Sequence, residues 1–215
     1  MKKPIKKIIV FDMDETIGSF QYFSFYFNVL FEIRKIFYIK KKDIFNIFLD
    51  LFPNIFRTNI FKIFNLIKKY KKYKNFDVIL YTNNTGSREY AESIIDYIHK
   101  KINFKLFDKI ITKFGTNKIK REGFYKTYKD IQNRYKNKKI KVLFFDDYNH
   151  IDMNNFIINN IVLNPYNYFI SYNNFITIFN KINTNYRLLN ENEYNNYKYY
   201  LKNNINECDI DFNSK

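Results

Sequence analysis

Residues 12–16, Asp-Met-Asp-Glu-Thr, gather three carboxylates and a hydroxyl directly after the apolar run Ile8–Phe11. Two more polar groups end apolar runs in the same way. Thr82-Asn83-Asn84-Thr85 follows the run at 78–81, and Asp146-Asp147 follows the run at 142–145. Asp, Asn and Thr serve turns and helix caps, so any one group by itself is explained by a reversal of the chain. Together they describe a chemistry. If the three ends meet, Asp12, Asp14 and Asp146 crowd one another. Carboxylates held that close either raise each other's pKa or keep a cation between them. A donor set made of oxygen alone favours a hard ion, and Mg²⁺ is the usual one beside a phosphate.

Such residues need a frame that brings strand ends together. Short continuous apolar runs at 8–11, 78–81, 110–111, 142–145 and 161–163 suit strands buried on both faces of a parallel sheet. Between them lie helical patterns. Ile60, Ile63, Phe64 and Ile67 share a face, as do Tyr90, Ile94, Ile98 and Ile102, and Phe124, Tyr128, Ile131 and Tyr135. Alternating strands and helices predict an α/β fold, a Rossmann-like open parallel sheet sandwiched by helices. Ligands of such sheets gather outside the carboxyl ends of the strands, where the polar groups lie. The stretch at about 20–53 breaks the alternation with two strongly apolar helical segments, near 22–39 and 43–52, closed by Pro53. It reads as a helical insert after the first strand, serving as a cap or as extra core. We expect the main domain to span 1–182, including a helix at 174–182. The remainder, 183–215, holds a weaker helix near 193–202 and a frayed end from 206.

The chain has 215 residues, a formal net charge of +16, 21% aromatic residues and no Trp. The favoured residues, Asn, Lys, Ile, Tyr and Phe, are those spelled by A/T-rich codons, and genome composition accounts for much of the bias. The Lys clusters at 40–42, 68–74 and 136–141 are then solvated element ends, against the alternative of a dedicated polyanion surface. One cysteine, Cys208, excludes an internal disulfide and a cysteine-based zinc site. The start lacks the pattern of a signal peptide, and the uncharged stretch 153–180 is broken by many Asn and a Pro, unlike a membrane span. The expectation is an intracellular protein, in cytoplasm or nucleus, with no membrane partner.

Asp12-Met13-Asp14-Glu15-Thr16 after an apolar strand resembles the first motif of the haloacid dehalogenase (HAD) superfamily of aspartate-nucleophile phosphatases. Tyr81-Thr82-Asn83-Asn84 resembles its second motif, and Phe144-Phe145-Asp146-Asp147 its fourth. The third motif is a lysine without fixed surroundings. Thr127-Tyr128-Lys129-Asp130 reads as a capping box, with Thr127 as N-cap and Lys129 in the first helical turn. Lys129 is therefore the expected phosphate lysine, with Lys126 and then Lys118 behind it. Tyr128-Lys129-Asp130-Ile131 and Asp14-Glu15-Thr16-Ile17 also resemble the branch that dephosphorylates the RNA polymerase C-terminal domain. Asp147 stands where that branch usually has Asn, and Arg57 lacks the Pro that often follows it, so the subfamily stays open.

The resemblance implies a Mg²⁺-dependent phosphatase. Asp12 is the nucleophile that becomes an aspartyl-phosphate, and Asp14 the general acid and base. Mg²⁺ is held by Asp12, the Asp14 backbone carbonyl, Asp146 and Asp147. Thr82, Asn83 and Lys129 face the phosphate, while Glu15 is placed at the surface or behind the site. The expected substrate is a phosphoprotein. Nucleic-acid ends or nucleotides are the alternative that suits the basic balance, and a non-catalytic module that keeps the sheet is the third.

Overall fold

In a computed structural model of the chain, residues 5–34, 41–85, 88–113, 121, 123, 125–135, 138–153 and 156–212 are described. Five strands form one sheet: β1 (Lys6–Phe11), β2 (Phe76–Tyr81), β3 (Lys109–Ile111), β4 (Ile140–Asp146) and β5 (Ile158–Val162). Their order is β3-β2-β1-β4-β5, and every neighbouring pair is parallel. This is the expected α/β architecture. The five apolar runs fall on the five strands, with β5 beginning three residues earlier than its run. On β2, Val78, Ile79, Leu80 and Tyr81 are all buried. That burial explains a continuous apolar run where a half-solvated strand would alternate.

Two compact units make up the chain: Met1–Ser19 with Pro53–Asn167, and Phe20–Phe52 with Tyr168–Lys215. The first holds the sheet with α3 (Ile60–Lys71), α4 (Arg88–Ile102) and α5 (Tyr128–Gln132). One core gathers Ile8, Val10, Ile79, Tyr81, Val142 and Phe144 from the sheet with Ile131, Tyr135 and Met153. On α4 the predicted stripe Tyr90, Ile94, Ile98 and Ile102 is buried. On α3, Ile60, Phe64 and Ile67 are buried, but Ile63 is exposed, so that stripe is narrower than its sequence. α5 is shorter than the pattern 124–135 foretold. It gives way to a 3-10 turn, Asn133–Tyr135, which carries Tyr135 into the core, and Phe124 lies outside the described residues.

The second unit joins α1 (Gln21–Arg34) and α2 (Lys41–Leu51) of the insert to α6 (Tyr172–Tyr186) and α7 (Glu191–Phe212). Its core is aromatic. The Tyr26 ring stacks on Phe175 with centroids 4.0 Å apart, and Phe48 stacks on the same ring at 5.5 Å. Tyr26 Oη donates to Ile170 O at 2.8 Å, and Tyr197 Oη donates to Tyr26 O at 2.7 Å, so both buried phenols are satisfied. The sequence set a domain boundary at 182, whereas here α6 groups with the insert. The reason is packing: Phe175 and Phe179 complete a core that Phe23, Phe27 and Phe48 begin. The backbone of α7 is helical to Phe212 where fraying from 206 was expected, and no Gly or Pro interrupts that run.

Candidate active site

Phe11, the last residue of β1, pairs with Leu80 on one side and Phe145 on the other. The residues that follow these three therefore emerge at one level. Asp12 N still donates to Phe145 O at 2.9 Å and Thr82 N to Ile111 O at 2.9 Å, which fixes both residues at the carboxyl ends of the strands. From β1 the chain builds β2 and β3 on one side, then β4 and β5 on the other. The crevice between β1 and β4 is the switch point at which open α/β sheets bind ligands.

Asp12, Asp146 and Asp147 each present a carboxylate oxygen there, all within 4.8 Å of one another. Asp12 and Asp146 are buried, as is Lys126. The Lys126 ammonium donates to Asp12 Oδ1 and, at 2.7 Å, to Asp146 Oδ2. Burial pushes the Asp12 carboxyl well above the usual carboxylate range; Lys126 opposes this, while Asp146 and Asp14 add to it. Asp146 goes the other way. Burial works against its charge, but His150, Lys126 and the Tyr148 N–H outweigh it and hold the carboxyl low. Asp12 and Asp146 likewise overcome burial and hold Lys126 in its charged form. Asp12 and Asp146 thus share the single ammonium of Lys126.

Asp14 accepts a bond at Oδ2 from Asn84 Nδ2, 2.8 Å away, and its other oxygen is buried without a partner. Burial pushes its pKa up to about 6. Thr82 is buried, its Oγ1 accepting from Asn84 N at 3.0 Å. Asn83 turns its side-chain oxygen to Arg121 Nη1 at 2.7 Å. Thr16 donates its hydroxyl to Asp147 Oδ1 at 3.0 Å.

The structure places the two leading lysine candidates differently. Thr127 is the N-cap, its Oγ1 accepting from Asp130 N, as the sequence indicated. Lys129, however, is exposed on α5, and Lys126 reaches the carboxylates. Asp130 receives the Tyr81 hydroxyl, whose oxygen in turn accepts from Thr127 N. That anchors the start of α5 to the tip of β2, and Lys126, just before the extended cap residue Thr127, faces Asp12 and Asp146 where the first helical turn does not.

Three further residues were not foreseen. His150 places Nε2 3.4 Å from Asp146 Oδ2; its spacing of four residues from Asp146 was the available signal. Arg121 lies over the Tyr81 ring at 4.9 Å. Arg57 bonds the main chain at Glu15 and Thr16. Nothing in a chain so rich in basic residues marks Arg121, and Arg57 stood out only as the arginine that lacks the branch's following Pro.

These residues fit a hard divalent ion. The clustered donors are carboxylate oxygens of Asp12, Asp146 and Asp147, and the Lys126 ammonium pairs with two of the three.

No family model matches the chain, and the comparison with curated proteins finds no match. Among solved structures, the chain is similar to the HAD domain of the effector protein Lem4 from Legionella pneumophila. The TM-score is 0.50 with 14% identity, over 86% of this chain and 98% of that one. It also matches YfnB of Bacillus subtilis bound to magnesium, with a TM-score of 0.35 and 16% identity, over 70% and 83% of the two chains, a likeness too slight to bear on function. The fold is that of a HAD domain. Among the described residues no helix is long and apolar enough to cross a membrane.

Proposed function

We propose that this protein is a Mg²⁺-dependent phosphomonoester hydrolase working through an aspartyl-phosphate on Asp12. What carries this reading is the buried contact of Asp12, Lys126 and Asp146 beside the unpartnered Asp14 oxygen. In the first step the Asp12 carboxylate attacks phosphorus as the bond to the leaving oxygen breaks. Asp14 gives that oxygen its proton. Water then attacks the phosphorus, Asp14 takes the water's proton, and Asp12 is released with inorganic phosphate. A pKa of about 6 keeps Asp14 able to serve both steps near neutral pH. Lys126 and Thr82 offset charge on the phosphoryl oxygens, and Asn83, held by Arg121, shapes the loop above them. Asp12, Asp146, Asp147 and the Asp14 carbonyl would hold Mg²⁺, which when bound neutralises phosphoryl charge.

A phosphoprotein is the favoured substrate, on the resemblance of 14–17 to the polymerase-tail branch; the companion resemblance at 128–131 gives no support, because Lys126 and not Lys129 meets the carboxylates. A net charge of +16 favours nucleic-acid ends or nucleotides as the second class. Matched phosphopeptides, nucleotides and 3′- or 5′-phosphorylated oligonucleotides, each with Mg²⁺ and with chelator, decide between them. Mg²⁺-dependent release of phosphate is the expected result. No release from any class would leave the binding-module alternative standing.

A further inference from the structure

We infer that Arg57 is a positioning residue of this site: its guanidinium fixes the turn that carries Asp14 and so aims that carboxyl at the leaving oxygen. This rests on the roles proposed above for Asp12 and Asp14.

Asp14 is followed by Glu15 at φ 59°, a left-handed conformation that a residue with a Cβ does not favour. Such a turn persists only where its surroundings hold it. Its N–H side is held from within the loop: Glu15 N donates to Gly18 O at 2.7 Å, and Ile17 N to Met13 O at 2.9 Å. Its carbonyl side is held by Arg57. Nε donates to Thr16 O at 2.7 Å, and Nη2 donates to Glu15 O at 2.5 Å and to Asn164 O at 2.7 Å. Arg57 N adds a bond to Ile17 O at 2.9 Å.

The guanidinium is itself fixed. It lies 5.4 Å from the Tyr166 ring centroid, and Tyr166 N donates to Glu15 O at 2.9 Å while its hydroxyl donates to Asn54 O at 2.8 Å. Its hydrogen bonds go to main-chain carbonyls on two loops, which the planar fork reaches through two separate nitrogens where an ammonium has only one. Asp14 thus has two anchors, Asn84 on its side chain and Arg57 on the carbonyl of the next residue, Glu15. The same clamp holds Thr16, whose hydroxyl meets Asp147. A displacement of about 1 Å in such a group costs on the order of a hundredfold in rate.

The test compares Arg57→Ala and Arg57→Lys with the unmodified chain under saturating Mg²⁺. Turnover is measured on an aryl phosphate, whose leaving group needs little acid help, and on an alkyl phosphate, whose leaving group needs a proton. Backbone amide exchange is followed at residues 15–18. For both variants we expect turnover to fall about a hundredfold on the alkyl ester and about tenfold or less on the aryl ester, with KM within a few-fold. Exchange at Ile17 and Gly18 should quicken while β1 and β4 keep their protection. Equal losses on the two esters, or unchanged exchange at 17 and 18, would overturn the inference. If the unmodified chain hydrolyses neither ester, the phosphatase reading fails, and the exchange result still decides whether Arg57 holds the turn. Should Arg57→Ala not fold, Arg57→Lys, which keeps the charge and loses the fork, is judged by the same two outcomes.

Discussion

At the scale of single residues, the site turns on Lys126. Its ammonium is buried between two carboxylates that need it charged, while Lys129 is exposed. Lys126→Ala should lower turnover by on the order of a hundredfold, as expected for one preorganised charge-stabilising donor. Lys129→Ala should cost a few-fold at most. Because the first change leaves two buried carboxylates unbalanced, it should also lower stability, by about 3–5 kcal/mol. Rates therefore need to be measured at a temperature where circular dichroism shows both variants folded. The reverse ranking of the two lysines would return the phosphate contact to Lys129.

At the scale of elements, α5 and β2 decide where that lysine goes. Thr127 caps α5 through Asp130 N and also donates to the Asp130 carboxylate at 3.0 Å. Thr127→Ala should cost about 1 kcal/mol in denaturant unfolding, the usual worth of such a cap. The opposite end of β2 is tied by charge. Asp77 on β2 meets Lys6 of β1 at 2.6 Å and accepts the Tyr135 hydroxyl at 2.6 Å. Burial would raise its pKa, but Lys6, Tyr135 and Lys109 outweigh it and hold the carboxyl low. A lowered native pKa contributes stability that is present above the unfolded value and lost as pH falls through the native one. Asp77→Asn should therefore flatten the loss of melting temperature below about pH 4; an unchanged acid limb would assign that loss to other carboxylates.

The same elements show what was legible in the sequence. Continuous apolar runs marked the five strands, and the polar residues ending three of them marked Asp12, Asp14, Thr82, Asp146 and Asp147. The cap at Thr127 was legible as well, because its signal is local. Which lysine follows from the cap was not. That depends on the Tyr81 hydroxyl reaching Asp130 across 49 residues of chain, a tertiary contact with no local signature. Ile63 carries the same lesson, an apolar residue at helical spacing that the packing of α3 leaves in solvent.

At the scale of the molecule, the insert after β1 finds its partners at the far end of the chain. Phe48 meets Phe175 and Phe179, so the helices at 20–52 and 168–215 share one core that no nearest-neighbour pattern could reveal. The net charge of +16 belongs to this scale too. If it serves nucleic acid, oligonucleotide binding should weaken steeply with salt, because lysine–phosphate contacts release counterions. A fluorescence titration across a range of salt concentrations reads the slope. No binding even at low salt would remove the main support for nucleic acid as substrate and leave phosphoprotein as the favoured class.

The most direct measurement is of Asp12 itself. The protein is mixed with an aryl phosphate and Mg²⁺, quenched in acid within a turnover, and mapped by peptide mass spectrometry. An alkali-labile phosphate should appear on the peptide containing Asp12, and both that label and phosphate release should vanish in Asp12→Asn. Full hydrolysis by Asp12→Asn, with no phosphate on that peptide in the unmodified chain, would contradict the mechanism.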